Sequence, residues 1–379
     1  MALSPSDLRR YARHLSLKEV GPAGQEKLRA ARVLIVGCGG LGSPAALYLA
    51  AAGVGTLGLL DFDRVDTSNL QRQILFDTSD VGEPKAERAQ QRLRALNPDI
   101  RAVAHQEELC AANVRVLFDD YELVIDGSDR IDTHYLISDA CVLYRKPLVT
   151  AAIYRFEGQI MSYQPDLGPC YRCLFPTIDA AAAPSCADTG VLGVLPGVLG
   201  TLQATEAIKL ITGIGTPLLG RLLTYDALDL RFQELRFSRR QDCAVCGARP
   251  SITAPFDPPG FCTQRELQAV HTLDVGQLAL QLQQAATAPQ LIDVREPAEF
   301  AAGHLAGSHN APLSLIERDG VTMGVTMDDS RPLVFVCRSG ARSARAAAIA
   351  RRAGFRHVST LAGGLLRWRE QIDATLTVA

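Results

Sequence analysis

The feature that most restricts this chain is the turn GCGGLG at residues 37–42. The apolar run ARVLIVG (31–37) ahead of it reads as a buried strand, and LGSPAALYLAAAG (41–53) behind it as a helix. Gly37, Gly39, Gly40 and Gly42 therefore form a glycine-rich connection from strand to helix. Such a connection aims backbone N–H groups and a helix N-terminus at phosphate oxygens. The same alternation continues downstream. TLGLLD (56–61) reads as a strand, and EPKAERAQQRLRAL (83–96) as a helix with Pro84 near its start, where proline is tolerated. ELVIDGSD (122–129) and KPLVTAA (146–152) read as further strands. Strands alternating with helices predict an α/β fold built on a Rossmann-like, doubly wound sheet.

A chain of 379 residues has room for two or three domains, and at 47% hydrophobic residues each can bury a core. The composition shifts after residue 247, where ARPSITAPFDPPGF (248–261) is rich in proline. A second, smaller α/β pattern follows. VGQLALQLQQA (275–285) and SARAAAIARRAGF (343–355) read as helices, and QLIDV (290–294) and PLVFV (332–336) as strands. The expected organisation is a first domain over 1–247, a linker over 248–274 and a second domain over 275–379.

Several function classes are disfavoured. A net charge of −2 argues against a mainly nucleic-acid-binding protein. The least charged segment, TGVLGVLPGVLGTLQAT (189–205), contains Pro196 and falls short of a membrane span, so it reads as a loop entering a buried helix. The N-terminus MALSPSDLRRYARHL has no apolar leader region, and a cytoplasmic protein is expected.

The glycine turn alone does not separate NAD from ATP, and it favours an NAD-dependent oxidoreductase with an accessory domain. Asp61, ending the next strand, suits ribose hydroxyls in either case. The following residues move the balance. DFDRVDTSNLQRQILF brings Asp63, Asn69, Arg72 and Gln73, and Lys85 follows in GEPKAE. Cations near a triphosphate serve an enzyme that cleaves it, because negative charge builds on the transferring and leaving groups. Either cation alone would read as solvated surface charge. Asp129, in DGSDR, stands at a strand end suited to Mg²⁺.

The chain has ten cysteines. Cys170 and Cys173 form one C-x-x-C pair, and Cys243 and Cys246 another. Together they can complete a tetrahedral Zn²⁺ site that staples the end of the first domain to its middle. The alternative is two unrelated thiol pairs or a redox pair. A site filled by four thiolates is structural, since no position is left for substrate.

The motifs RYARHL, GCGGLGSP, DFDRVDTSNLQRQ, GEPKAE, DGSDR, FEGQI, CYRCLFP and CAVCG occur in this order between about residue 8 and residue 247. As a set they resemble the adenylyltransferases that activate sulfur-carrier proteins, relatives of the ubiquitin-activating enzymes. The resemblance implies binding of ATP and Mg²⁺, and a partner that is a ubiquitin-like sulfur carrier ending in Gly-Gly. The carrier's carboxylate would attack the α-phosphate to give an acyl-adenylate and pyrophosphate. Carried onto this sequence, Asp61 would hold the ribose, and Arg72 and Lys85 the phosphates, with Asn69 and Gln73 nearby. Asp129 would hold the metal. Arg13 would reach the site across a homodimer. Cys186, in APSCADTG, matches a loop position where relatives carry a cysteine that attacks the activated acyl group; the other reading is a loop cysteine with no role.

LIDVREPAEFAAGHLAGSHNAPL, VCRSGARSA, AGF and LAGGLLRW resemble the rhodanese family from about residue 275 onward. Cys337 opens a strand-to-helix turn, with Arg338 and Arg342 adding positive charge, a setting that stabilises an anionic persulfide. A phosphatase loop would place five residues between cysteine and arginine; only four, Arg338 to Ala341, lie between Cys337 and Arg342. Asp293 and Arg295 read as structural partners of a buried strand end, and His304 has no assigned role. The two activities together would convert the carrier's carboxylate into a thiocarboxylate. The sulfur would come from thiosulfate or a cysteine desulfurase. A non-catalytic scaffold would need none of Arg72, Lys85, Asp129 and Cys337.

Overall fold

The apolar run ahead of the glycine turn and the run after the helix that follows it become adjacent parallel strands because both of their faces are covered. β1 (Arg32–Val36) and β2 (Thr56–Leu60) lie in register from Arg32 opposite Thr56 to Val36 opposite Leu60, and the centre of each is buried. The computed structural model describes residues 3–177, 190–257, 270–284, 288–319 and 331–378. The chain divides into two compact units, Met1–Asp257 and Pro258–Ala379.

The first unit is built on an eight-stranded sheet of order β3-β2-β1-β4-β5-β6-β7-β8. β3 (Arg101–His105), β2, β1, β4 (Leu123–Asp126) and β5 (Leu148–Tyr154) are parallel. The chain order reverses between β1 and β4, where a doubly wound sheet opens a crevice at the carboxyl ends of its strands. The helices Gly42–Ala52 and Lys85–Leu96 stand where the periodicity places them, and a further helix, Ile131–Leu143, follows β4. The sheet then continues with antiparallel β6 (Glu157–Tyr163), β7 (Arg221–Asp226) and β8 (Arg231–Arg236), an extension the sequence reading did not anticipate. The apolar 189–205 segment supplies the start of a helix, Leu195–Thr212, packed on helix Gly42–Ala52. Gly200 permits that contact, since a Cβ there would stand 2.3 Å from the Leu41 carbonyl oxygen. No helix among the described residues is long and apolar enough to cross a membrane.

The second unit carries a five-stranded parallel sheet of order β11-β10-β12-β13-β9. Its strands are β9 (His271–Leu273), β10 (Gln290–Asp293), β11 (His309–Asn310), β12 (Leu333–Val336) and β13 (Val358–Leu361). Alternation along β12 serves two cores: Leu333 and Phe335 pack with helix Ala341–Arg352, while Val334 and Val336 face Leu365 and Trp368.

Candidate active sites and the cysteine cluster

The carboxyl ends of β1, β2 and β4 open into a cavity lined by Gly37, Gly39, Gly40, Asp61, Asp63, Arg72, Gln73, Lys85 and Asp129. Two glycines are dictated by backbone approach. Gly37 has φ +88° and a Cβ would fall 2.7 Å from the Gly127 carbonyl; at Gly42 a Cβ would fall 1.8 Å from the Gly37 carbonyl. Gly39 is crowded by no backbone: a Cβ there would meet the Gln73 amide at 3.5 Å.

Asp61 is buried and receives backbone N–H groups from Cys38 at 2.8 Å and Asp63 at 2.9 Å. Burial pushes its carboxyl up to about 6, against the opposing pull of Lys85. Lys85, at the start of its helix, is 5% exposed, and its Nζ donates to Asp63 Oδ2 at 3.1 Å. Arg72 is half-buried, with one guanidinium nitrogen on the Ser68 carbonyl at 3.0 Å. Gln73 is buried and its Oε1 has no hydrogen-bond partner. Asp129 is exposed at the cavity wall. The structure thus gathers most of the expected residues in one place. Asn69 is not among the lining residues: its Oδ1 accepts the Asp66 N–H at 3.2 Å and closes a short turn. Arg13 is exposed and does not line the cavity of its own chain. Cys186 lies outside the described residues.

Sequence reasoning missed the residues beneath Asp129. Asp126, fully buried at the end of β4, accepts from His134 Nδ1 at 2.5 Å, Thr150 Oγ1 at 2.9 Å and Ser128 Oγ at 2.7 Å. Arg130, also at the cavity wall, bridges Glu108 and Asp132. Thr150 and Glu108 lie far from Asp126 and Arg130 in the chain, so no local spacing announces those contacts.

The four paired cysteines come together. All are buried, and their sulfurs lie within 4.8 Å of one another. Cys170 Sγ is 3.8 Å from Cys173 and 3.5 Å from Cys243, and Cys173 is 3.4 Å from Cys246. A zinc tetrathiolate with bonds of about 2.3 Å has sulfur–sulfur edges near 3.8 Å, so the cluster fits a tetrahedral metal, whereas a disulfide needs about 2.05 Å. The Arg240 N–H donates to Cys173 Sγ at 3.4 Å, as an outer partner of a thiolate ligand does. Between the first two cysteines, Arg172 pairs with buried Asp139 at 2.7 Å, and Tyr171 packs edge-on against Tyr135.

In the second unit, Cys337 follows β12 and is 1% exposed. The Gly340 N–H donates to its Sγ at 3.1 Å and the Ser343 N–H at 3.4 Å, which gives the sulfur the expected backbone donors. The loop is held from behind by helix Gly364–Gln371, whose Leu365 and Leu366 N–H groups donate to the Cys337 and Arg338 carbonyls. Gly364 is required there, because a Cβ would stand 2.4 Å from the Cys337 carbonyl. The expectation of two free cations needs revision. Arg338 is exposed, but Arg342 forms a two-point ion pair with Glu299 at 2.6 and 2.7 Å, so its charge at the loop is largely neutralised. Asp293 and Arg295 form a fully buried pair at the end of β10. His304 stacks on Phe300 and meets the Phe300 carbonyl at 3.0 Å, contacts within its own turn.

The model of the ThiF family matches residues 11–245, well over half of the chain. The chain belongs to the ThiF family. A rhodanese-like domain matches residues 276–371. Among curated relatives, the probable adenylyltransferase/sulfurtransferase MoeZ of Mycobacterium tuberculosis is 42% identical over 100% of this chain and 96% of its own length. The sulfur carrier protein adenylyltransferase of Thermus thermophilus is 49% identical over 70% of this chain and all of its own length. The maize adenylyltransferase and sulfurtransferase MOCS3-2 is 40% identical over 99% of this chain and 82% of its own. The solved structure of Escherichia coli MccB with ATP shares the fold, with a TM-score of 0.57 and 24% identity over 63% of this chain and 73% of that one. The family is one of ATP-using adenylyltransferases, and the NAD-dependent oxidoreductase alternative finds no support among these relatives.

Proposed function

We propose that the protein adenylates the C-terminal Gly-Gly carboxylate of a ubiquitin-like sulfur carrier and then supplies sulfur from a Cys337 persulfide, giving a thiocarboxylate. The observation that carries the first half is the convergence of the glycine turn, Asp61, Arg72, Lys85 and Asp129 on one cavity. In the reaction, a carboxylate oxygen bonds to the α-phosphorus as its bond to the bridging oxygen breaks and pyrophosphate leaves. Asp61 accepts from the ribose hydroxyls, while Lys85 and Arg72 meet the charge on the phosphates, with Gln73 beside them. Asp129 would hold Mg²⁺, which supplies charge neutralisation on the phosphates. No side chain need move a proton, because the nucleophile is already an anion. The terminal persulfide sulfur on Cys337 then attacks the acyl carbon and AMP leaves. A reducing thiol must break the remaining S–S bond to release the thiocarboxylate; Cys186 is a candidate for an earlier acyl transfer. Thiosulfate and a cysteine desulfurase are both compatible sulfur donors.

The proposal includes domain limits of 1–247 and 275–379 with a linker at 248–274, a cytoplasmic setting, and a homodimer in which the partner subunit's Arg13 completes the site. It is tested by incubating the protein with ATP, Mg²⁺, a sulfur donor and each candidate carrier, then weighing the carrier. A gain of one sulfur in place of one oxygen supports the reading; an unchanged mass with every carrier overturns it.

Lys85→Ala and Arg72→Ala are each expected to slow carrier-dependent pyrophosphate exchange by about 10²-fold, the scale for removing one charge contact to a transition state. The KM for ATP is expected to rise as the pH falls through about 6. Ribose hydroxyls bind the ionised Asp61 carboxylate, which is depleted below its raised pKa of about 6. Asp61→Asn should flatten that dependence, and a wild-type KM indifferent to pH between 5 and 7 would contradict the assignment. The cysteine cluster is assigned one structural Zn²⁺ per chain. Chelation, or Cys243→Ser, is expected to lower the melting temperature of the first unit while releasing that zinc, because metal binding contributes directly to folding. A metal-free preparation that melts like the holoprotein would contradict it.

A further inference from the structure

Asp126 and His134 form a buried ionisable pair that the adenylation chemistry does not use. Asp126 is 0% exposed and His134 5% exposed, yet His134 lines the nucleotide cavity from the first turn of helix Ile131–Leu143. The Asp126 carboxylate is fully occupied. One oxygen takes His134 Nδ1 and Thr150 Oγ1; the other takes Ser128 Oγ and, at 3.2 Å, the Ser128 N–H. Its own carbonyl accepts Gln203 Nε2 at 2.6 Å. The turn above it is tied at its ends by the Gly127 N–H on the Val36 carbonyl at 2.8 Å and by the Arg130 ion pairs with Glu108 and Asp132, which leaves Asp126 to hold Ser128 between them. Gly127 can carry no side chain, because a Cβ would fall 2.9 Å from the Gly37 carbonyl, and Asp129 is exposed. The imidazole is backed by the Tyr171 ring, stacked at 6.4 Å and 28°. Burying such a pair rarely adds stability over an apolar packing, which directs attention to what the pair holds in place.

We propose that His134 is a positioning residue for adenylation: through Asp126 and Ser128 it fixes the 126–129 turn, so that Asp129 faces the cavity. The inference rests on the reading of Asp129 as the Mg²⁺ anchor. Three variants separate the two. Asparagine carries its amide nitrogen close to the position of imidazole Nδ1, whereas glutamine carries it one methylene further out. ATP binding is measured by calorimetry across a Mg²⁺ series for wild type, Asp129→Asn, His134→Gln and His134→Asn, with melting temperatures alongside. Asp129→Asn should abolish the Mg²⁺ dependence. His134→Gln should raise the half-saturating Mg²⁺ concentration by about tenfold, the scale of one lost charge-assisted hydrogen bond, and His134→Asn should recover most of that shift. An Asp129→Asn protein with wild-type Mg²⁺ dependence overturns the functional reading and the inference with it. A normal Asp129→Asn loss with no shift in His134→Gln overturns the inference alone, as does an equal shift in both His134 variants. Should His134→Gln fail to fold, Ser128→Ala carries the test with an expected shift of about threefold, and no shift there overturns the proposal.

Discussion

Cys337→Ser is expected to abolish sulfur transfer while leaving carrier-dependent pyrophosphate exchange at the wild-type rate. A hydroxyl cannot carry a sulfane sulfur, so the loss should be complete rather than graded. The fold should tolerate the change, since the Gly340 and Ser343 N–H groups that meet the sulfur can also donate to an oxygen, and the loop backbone is fixed independently by Leu365 and Leu366. The exchange assay is the control, because the residues proposed for adenylation all lie in the first unit. The product expected with ATP and carrier is an acyl-adenylate that accumulates or hydrolyses without gaining sulfur. Thiocarboxylate formed at the normal rate by the variant would remove Cys337 from the pathway.

The second large effect concerns Asp129. Asp129→Ala should reduce pyrophosphate exchange by roughly 10³-fold or more, because the proposed Mg²⁺ would lose the carboxylate that holds it and its charge on the phosphates with it. Asp129 is exposed, and no side-chain hydrogen bond of the described residues depends on it, so the melting temperature should change little. Persulfide formation on Cys337 should be untouched. Exchange near the wild-type rate would sink the assignment of Asp129, and an equal loss of both activities would point to a folding defect.

How much of this could be read from the sequence depends on how local each signal is. The glycine turn and the parallel strands β1, β2, β4, β5, β10 and β12 were legible because their apolar periodicity lies within single elements, as in RVLIV and LVID, whereas β3, β9, β11 and β13 were not read. The cysteine cluster was legible because each pair is local, although the sulfurs that meet lie 73 residues apart. The antiparallel extension was not. β8, RFQELR, is exposed along its whole length and shows no buried face to set a pattern. Arg342 shows the same limit in the second unit. Its partner Glu299 is 43 residues away, so the sequence showed a cation where the structure shows an ion pair. His134 was equally hidden, because its meaning comes from Asp126 on another element and from a cavity that neither residue announces.

The cysteine cluster also bears on how the chain is made. It joins the turn at Cys170–Cys173 to the turn at Cys243–Cys246, and the intervening stretch contains helix Leu195–Thr212, which packs against the helix that follows the glycine turn. The first unit is therefore complete only when Cys246 has cleared the ribosome, long after the glycine turn has emerged. At synthesis rates of roughly 5–20 residues per second, the remaining chain follows over about ten seconds. On the zinc assignment proposed above, the nascent first unit would take up its metal and close during that interval, while the second is still being made. Two stretches of one polypeptide would then mature in sequence, with metal supply during translation a condition for the yield of the whole chain.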